Sequence, residues 1–238
     1  MLARDIMSRA RIVLQDEESV RWPLAELADW INDGLREIAK QVPSAFARTE
    51  DLPLVAGVKQ TLPAAYARML RPVVNAPFEG ADRAPRRAVT VVDQRTLDVV
   101  QPDWHSERRR SQQARHVMFD EADPRTFYVY PSNDGTGRLR AVVAGRPAPV
   151  VASGAAEAIG SYAAEVGVDD AYSNALLDYV LYRAFSKDAQ FAGSVQRAAA
   201  HFSQFASAVN MQVGADALMS PNRRPQVSGG MPGVSAGA

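Results

Sequence analysis

Apolar residues recur along the first fourteen positions as Leu2, Ile6, Ala10, Val13 and Leu14, the spacing of one face of a helix. The acidic break Asp16-Glu17-Glu18 ends it. A second helix is predicted from about Pro23 to Val42, where Leu24, Leu27, Ile31, Leu35, Ile38 and Val42 follow in steps of three and four. So narrow a stripe needs a partner helix.

From about Arg48 to Val150 the period shortens to alternating runs bounded by Pro, Gly and Asp, the pattern of a small β-rich unit. Leu52 and Leu54 are predicted to pair with Val58 and Leu62 across an Ala56-Gly57 turn. Val117 and Phe119 lead through the polar tip 120–125 into Phe127, Tyr128, Val129 and Tyr130, a second hairpin. Leu139, Ala141 and Val143 make a further strand after the glycine-bearing turn Asn133 to Gly137. Pro147 to Val168, rich in Ala, Gly and Pro, has little periodicity and reads as a connection.

Helical periodicity then returns. Asp169 and Asp170 supply a cap and favourable dipole charge for a helix reaching about Lys187, with Leu176, Leu177, Val180, Leu181 and Ala184 along it. A last helix carries Phe191, Val195, Ala198, Phe202, Phe205 and Val209 in alternating steps of four and three, which suits pairing with one neighbour. The expected architecture is therefore α+β, mainly α: a four-helix bundle of two N-terminal helices (1–47) and two C-terminal helices (169–218), with an inserted small β-rich unit (48–150), a connection (151–168) and an extended C-terminal arm (219–238). The arm is Pro, Gly, Ser, Ala and Arg with almost nothing to bury, so order in it is expected to come from a partner.

Composition narrows the function. With 238 residues and 47% of them hydrophobic, a sizeable core is available. The absence of cysteine excludes disulfides and thiolate metal sites. Lys+Arg and Asp+Glu both total 27, so the chain lacks the basic excess of an autonomous nucleic-acid binder. The only lysines are Lys40, Lys59 and Lys187. Such an arginine bias suits forked contacts at protein interfaces, and a GC-rich coding genome would produce it equally. Charged residues Arg4, Asp5, Arg9 and Arg11 leave no room for a secretory apolar core, and no segment reaches the length of a membrane span. The expectation is a soluble chain that begins at its own start methionine.

Candidate chemistry is sparse. Neither His-Glu-x-x-His nor Gly-x-x-x-x-Gly-Lys occurs, and the histidines are His105, His116 and His201. Asp98, Asp103 and His105 gather around Trp104, where a hydrolase would look for an acid and a base. Pro102 and the polar flanks describe instead a surface turn with the indole as packing anchor. The acidic run Asp120, Glu121, Asp123 reads as a hairpin tip rather than a calcium loop. Arginine clusters at Arg83, Arg86 and Arg87, at Arg108, Arg109, Arg110 and Arg115, and at Arg223 and Arg224 could meet carboxylates or phosphates or simply solvent. His201 reads as a helix-face residue, and Tyr172, Tyr179 and Tyr182 as core and rim packing. No catalytic, cofactor-binding or metal-binding residue is assigned.

Four stretches together resemble a known family. They are Arg21-Trp22 with Glu26-Leu27 and Trp30-Ile31-Asn32-Asp33-Gly34; Val92-Asp93 through Leu97-Asp98 to Pro102-Asp103-Trp104-His105; Phe119-Asp120 with 123–131, Asp-Pro-Arg-Thr-Phe-Tyr-Val-Tyr-Pro; and 175–189, from Ala175-Leu176-Leu177-Asp178-Tyr179 through Arg183-Ala184-Phe185 to Ala189. In these the chain resembles the head-tail connector adaptors of tailed bacteriophages. The resemblance implies a helical bundle with a smaller inserted unit, assembled as a twelve-subunit ring beneath the portal protein in the neck of the virion and made in the host cytoplasm. Such a ring encloses the channel through which DNA leaves without sequence-specific binding. It would contact the portal above and the next tail or neck component below, with no membrane, cofactor or enzymatic activity. Two alternatives stand beside it: another neck or tail protein such as a tail terminator, and a small phage hydrolase built on Asp103 and His105.

Two departures accompany the resemblance. Pro23 stands where a Ser or Thr would cap the second helix and pair with Glu26, and the connection before Asp169 is long. Ring closure requires one face of each subunit to meet a different face of the next. The expectation is side-by-side packing of the bundles, with the β unit toward the tail. The arm would lie in a groove of the portal or a neighbouring subunit, held by Pro221, Arg223, Arg224 and Pro225.

Overall fold

The computed structural model describes residues 1–77, 87–106, 109–120 and 122–219, with side chains as far as 215. In chain order the helices and strands are α1 (Ala3–Leu14), α2 (Leu24–Gln41), β1 (Ala47–Pro53), β2 (Gly57–Thr61), β3 (Tyr66–Asn75), β4 (Thr90–Val91), α3 (Gln94–Val100), β5 (His116–Phe119), β6 (Thr126–Asn133), β7 (Arg138–Gly145), α4 (Ser173–Lys187) and α5 (Ser194–Met219).

The first helix buries Ala3, Ile6, Met7, Ala10 and Leu14 and stops where Gln15 turns left-handed at φ 55°. Asp16 then organises the turn that follows. Its carboxylate accepts from the backbone N–H groups of Val20, Arg21 and Trp22 at 3.0, 3.0 and 2.9 Å, satisfying three donors before α2 begins. Pro23 offers α2 no side-chain cap. Glu26, released from that role, accepts instead from Lys187 Nζ at 2.6 Å and ties the start of α2 to the end of α4.

The helical half is organised around α4, which packs on α1, α2 and α5. On one side, α2 comes so close that a Cβ added at Gly34 would sit 3.1 Å from both Leu176 and Tyr179. On another, Tyr182 and Phe185 meet Phe202 and His201 of α5, with ring centroids 5.0 and 5.7 Å apart. The connection expected at 147–168 is a strap over this core. It buries Val150, Tyr162, Val166 and Val168 with the helices, and the Ala3 N–H donates to the Ala164 carbonyl at 3.1 Å.

The other half is a pair of sheets, ordered β1-β7-β3 and β2-β6-β5-β4, in which only the short β4 pairs in parallel, with β5. The two sheets share one core, to which Leu52, Met69, Leu139, Ala141 and Val143 come from the first and Val117, Phe127 and Val129 from the second. The hairpin expected between Leu52-Leu54 and Val58-Leu62 does not form. β1 pairs with β7, Leu52 opposite Leu139, while β2 pairs with β6, Gln60 opposite Phe127. The chain changes sheets at a corner held by the buried Gln60, whose side chain accepts from the Val55 N–H at 2.7 Å and donates to the Val55 carbonyl at 2.8 Å. Gly57, at φ +114°, supplies the left-handed residue there.

These observations replace the expected four-helix bundle with its small β insertion. Among the described residues there are five α-helices and two sheets of three and four strands, and the strands have a core of their own. Nor do the long helices close into a bundle. α5 makes its substantial helix contacts with α4 alone, so the apolar seam toward α4 is satisfied by one partner. The hairpin from Val117 to Tyr130 forms as expected, as β5 and β6. Phe191, expected within the last helix, lies before it.

Candidate functional site

Three surfaces hold the residues that sequence reasoning singled out or that the fold leaves open. The first is a cleft of about 940 Å³ between α3 and the β5–β6 hairpin. Asp93 starts α3 by accepting from the Arg95 N–H at 2.8 Å, which aims the helix across the sheet edge. On the next turn Asp98 Oδ1 accepts from the indole N–H of Trp104 at 2.7 Å, and Trp104 is fully buried beside Leu97 and Met118. His105 lies over that indole with centroids 3.7 Å apart and meets Tyr128 edge-on. Asp98, Asp103 and His105 therefore do not converge on a reacting centre. Asp98 holds the tryptophan, His105 stacks on it, and Asp103 is exposed on the preceding turn.

Asp120 and Asp123 line the far side of the cleft at the hairpin tip. The Asp120 carboxylate accepts from the Ala122 N–H at 2.8 Å, and the Asp123 carbonyl accepts from the Thr126 N–H at 3.1 Å, the bonding of a turn. Glu121 lies outside the described residues. Among those described, no group of three or more His, Asp or Glu side chains is placed to hold a metal ion.

The second surface is basic. His116 Nδ1 is 2.7 Å from Thr90 Oγ1, and its ring stacks on Tyr130. Burial, with Arg115 and Arg87 adding their charges, lowers its pKa below the usual 6.5. Arg87, Arg109 and Arg110 are exposed, whereas Arg83, Arg86 and Arg108 lie outside the described residues. So do Pro221, Arg223, Arg224 and Pro225, the residues expected to dock the arm.

The third surface is the side of α5 turned away from α4. His201 is spent on the α4 side, where Nδ1 is 2.9 Å from Asp178 Oδ1 and the ring stacks on Phe185. Away from that contact Val195, Met211 and Val213 are 55%, 72% and 40% exposed. No Asp, Glu, Lys or Arg occurs between Ala198 and Ala215 in a chain that is 23% charged. A solvated helix face of that length is ordinarily charged, and this one is not.

Sequence reasoning missed the polar side chains that hold the loops. Asn32, on the buried face of α2, accepts from the Val150 N–H and donates to its carbonyl at 2.7 and 3.0 Å. Asn75 pairs with the Ala114 N–H and carbonyl, both at 2.8 Å, and Asn133 donates to the Ser111 and Gln112 carbonyls at 3.0 Å. Each is a primary amide standing in for a strand neighbour. The legible signal was Asn32 between Ile31 and Leu35, a polar residue inside an apolar stripe.

Compared with known proteins, residues 1–225 match a family model described as SU10 adaptor protein. No curated protein matches the chain.

Proposed function

The chain belongs to the SU10 adaptor protein family, a structural family of phage proteins, and from that premise we propose that it is a head-tail adaptor subunit. In this reading copies of the chain form a ring, twelve-fold as the resemblance implies, between the portal of the head and the next neck or tail component. DNA passes through the ring as a polyanion rather than as a sequence. The observation that carries the reading is the family match, which spans both the helical half and the paired sheets.

Two features of the molecule support it. The exposed part of α5 carries no charged residue from Ala198 to Ala215, which suits a subunit that works by assembly. Two of the residues near which a hydrolase would look for an acid and a base are engaged in packing, Asp98 with the indole of Trp104 and His105 stacked over it, while Asp103 is exposed. The arm 219–238 adds a candidate tether, with Arg223 and Arg224 suited to carboxylates on the portal.

The test is complementation. Heads that carry portal but lack this chain are mixed with the purified protein and then with tails, and particles are imaged by cryo-electron microscopy. Density for the chain directly beneath the portal, with tails joined, is the expected result. Density one layer lower would assign it to another neck component, and tail joining without the chain would remove the proposal.

A further inference from the structure

The cleft between α3 and the β5–β6 hairpin joins an apolar lining to an acidic rim. Val91, Met118, Phe119 and Tyr128 supply the first, and Asp93, Asp98, Asp120 and Asp123 the second, against the single guanidinium of Arg95. All four carboxylates are exposed, and among the described residues none of them is in an ion pair. Asp93 and Asp120 each accept from a backbone N–H and Asp98 from the indole of Trp104, which leaves further lone pairs on every one. In a chain whose charges otherwise cancel, such an excess of carboxylates in one apolar cleft fits a cationic segment of polypeptide.

We propose that the occupant is the C-terminal arm of the same molecule, with Arg223 and Arg224 meeting the carboxylates of the rim. Those two arginines are the only charged side chains in residues 220–238, so the arm is complementary to the cleft without internal competition. Pro221 and Pro225 bracket them and limit the conformations lost on docking, while Val227 offers an apolar side chain to the lining.

The course of the helices brings the arm to the right end of the molecule. α4 runs antiparallel to both α2 and α5, as the approaches of Lys187 to Glu26 and of Leu176 to Gly34, and the ring contacts Tyr179–Phe205 and Phe185–His201, require. α5 therefore runs the same way as α2 and ends on the side where α2 hands over to β1. The hairpin tip lies at that end of the strands too. The Leu62 N–H donates to the Arg125 carbonyl, the Arg146 N–H donates to the Ala65 carbonyl, and Ala144 stands opposite Ala47 at the start of β1. Arg223 and Arg224 follow Met219 by four and five residues, a reach of about 14 to 17 Å in extended chain.

The weakness of the contact selects the arm's own molecule over a neighbour. Exposed ion pairs stabilise little, too little to hold a separate chain, but a short tether raises the effective concentration of the arm at its own cleft. The clasp is therefore easily exchanged. In the adaptor reading, carboxylates of the portal would compete for the same arginines, so the tether is covered until a head is offered; the clasp itself does not depend on that reading.

The chain has no cysteine, so two introduced thiols report on the clasp in the full-length protein. Gln94, exposed on the wall of the cleft, and Asn222, beside the arginines, are the positions. A Q94C/N222C chain treated with a short bis-maleimide should link within the monomer at a rate independent of protein concentration. R223E/R224E should slow that link several-fold, as should high salt, with helical circular dichroism unchanged. D123R alone should slow it as well, and D123R combined with R223E/R224E should recover much of the lost rate. Three results would overturn the proposal: a link indifferent to R223E/R224E, charge reversals that do not rescue one another, or links that form between molecules and rise with concentration, which would give the cleft to another copy's arm. If the chain proved absent from virions while the internal link behaved as described, the adaptor reading would fall and the clasp would stand.

Discussion

Asn32 grips Val150 from both ends of its amide, accepting from the backbone N–H at 2.7 Å and donating to the carbonyl at 3.0 Å across 118 residues of sequence. The side chain is buried, so water cannot replace either bond. Replacement by Leu or Ala strands both backbone groups of Val150. The expected loss is about 2–4 kcal/mol, two unmet hydrogen bonds at the usual cost of a buried unsatisfied group. Urea unfolding of N32L against wild type measures it, and a loss below about 0.5 kcal/mol, the level of an ordinary surface substitution, would show that the strap is held by other contacts.

His116 sets a pH dependence. Its pKa is lowered in the folded chain by burial and by Arg115 and Arg87. The unfolded state therefore binds the proton more readily in the window just below 6.5, and stability falls as pH drops through that window. The contribution is complete above 6.5. Thermal melts from pH 7.5 down to the lower limit of the window should decline, and H116Q should flatten that part of the curve. An unchanged slope in H116Q would assign the effect to carboxylates.

Asp103 and His105 bear on the enzymatic alternative. Replacing both by alanine removes an exposed carboxylate and a ring stacked on Trp104 but leaves the Trp104–Asp98 hydrogen bond in place. Particles carrying D103A/H105A should plaque with wild-type efficiency. A loss of infectivity from particles that assemble normally would revive the hydrolase.

The arm offers a separable prediction. Truncation after Met219 removes Ser220 to Ala238, a segment with little to contribute to the core. The melting temperature should stay within a degree or so of wild type, as for surface changes. Co-sedimentation with portal-bearing heads should weaken, and R223E/R224E should reproduce the loss. Equal co-sedimentation of the truncated and full-length chains would make the arm a passive extension.

The helices were legible because their apolar positions recur at helical spacing. Leu24 to Val42 and Ser194 to Val209 write their partners' positions at intervals of three and four residues, and a period of that kind survives without any knowledge of the partner. The strands were legible where a turn joined neighbours, as between Val117 and Tyr130. They were not where a strand's partner lies far along the chain. Leu52 opposite Leu139 is a pairing that no local pattern encodes, and Gln60 turns the chain between sheets with a side chain that looks like any exposed glutamine. Tyr66 to Asn75 escaped notice because Pro72 interrupts it, yet it runs as an edge strand, where a missing N–H is tolerated. At the candidate surfaces, Trp104 as an anchor was readable from its polar neighbours. The exposed apolar side chains of α5 were not, because sequence shows apolar positions without showing which of them are covered.

The placement of the two cores has a consequence for how the polypeptide leaves the ribosome. The sheets draw their core from Leu52 to Val143, an unbroken stretch that can close on itself once β7 has emerged. The helical core instead joins residues 3–46 to 150–209, and its outermost ties span the chain, Glu26 to Lys187 across 161 residues and the Met1 amine to Asp170 across 169. α1 and α2 are made before the β unit and find their partner α4 only after it. Through most of synthesis their apolar stripes stand open beside a finished β unit, which makes the nascent N-terminal helices, rather than the strands, the part of this protein that a holding chaperone would recognise.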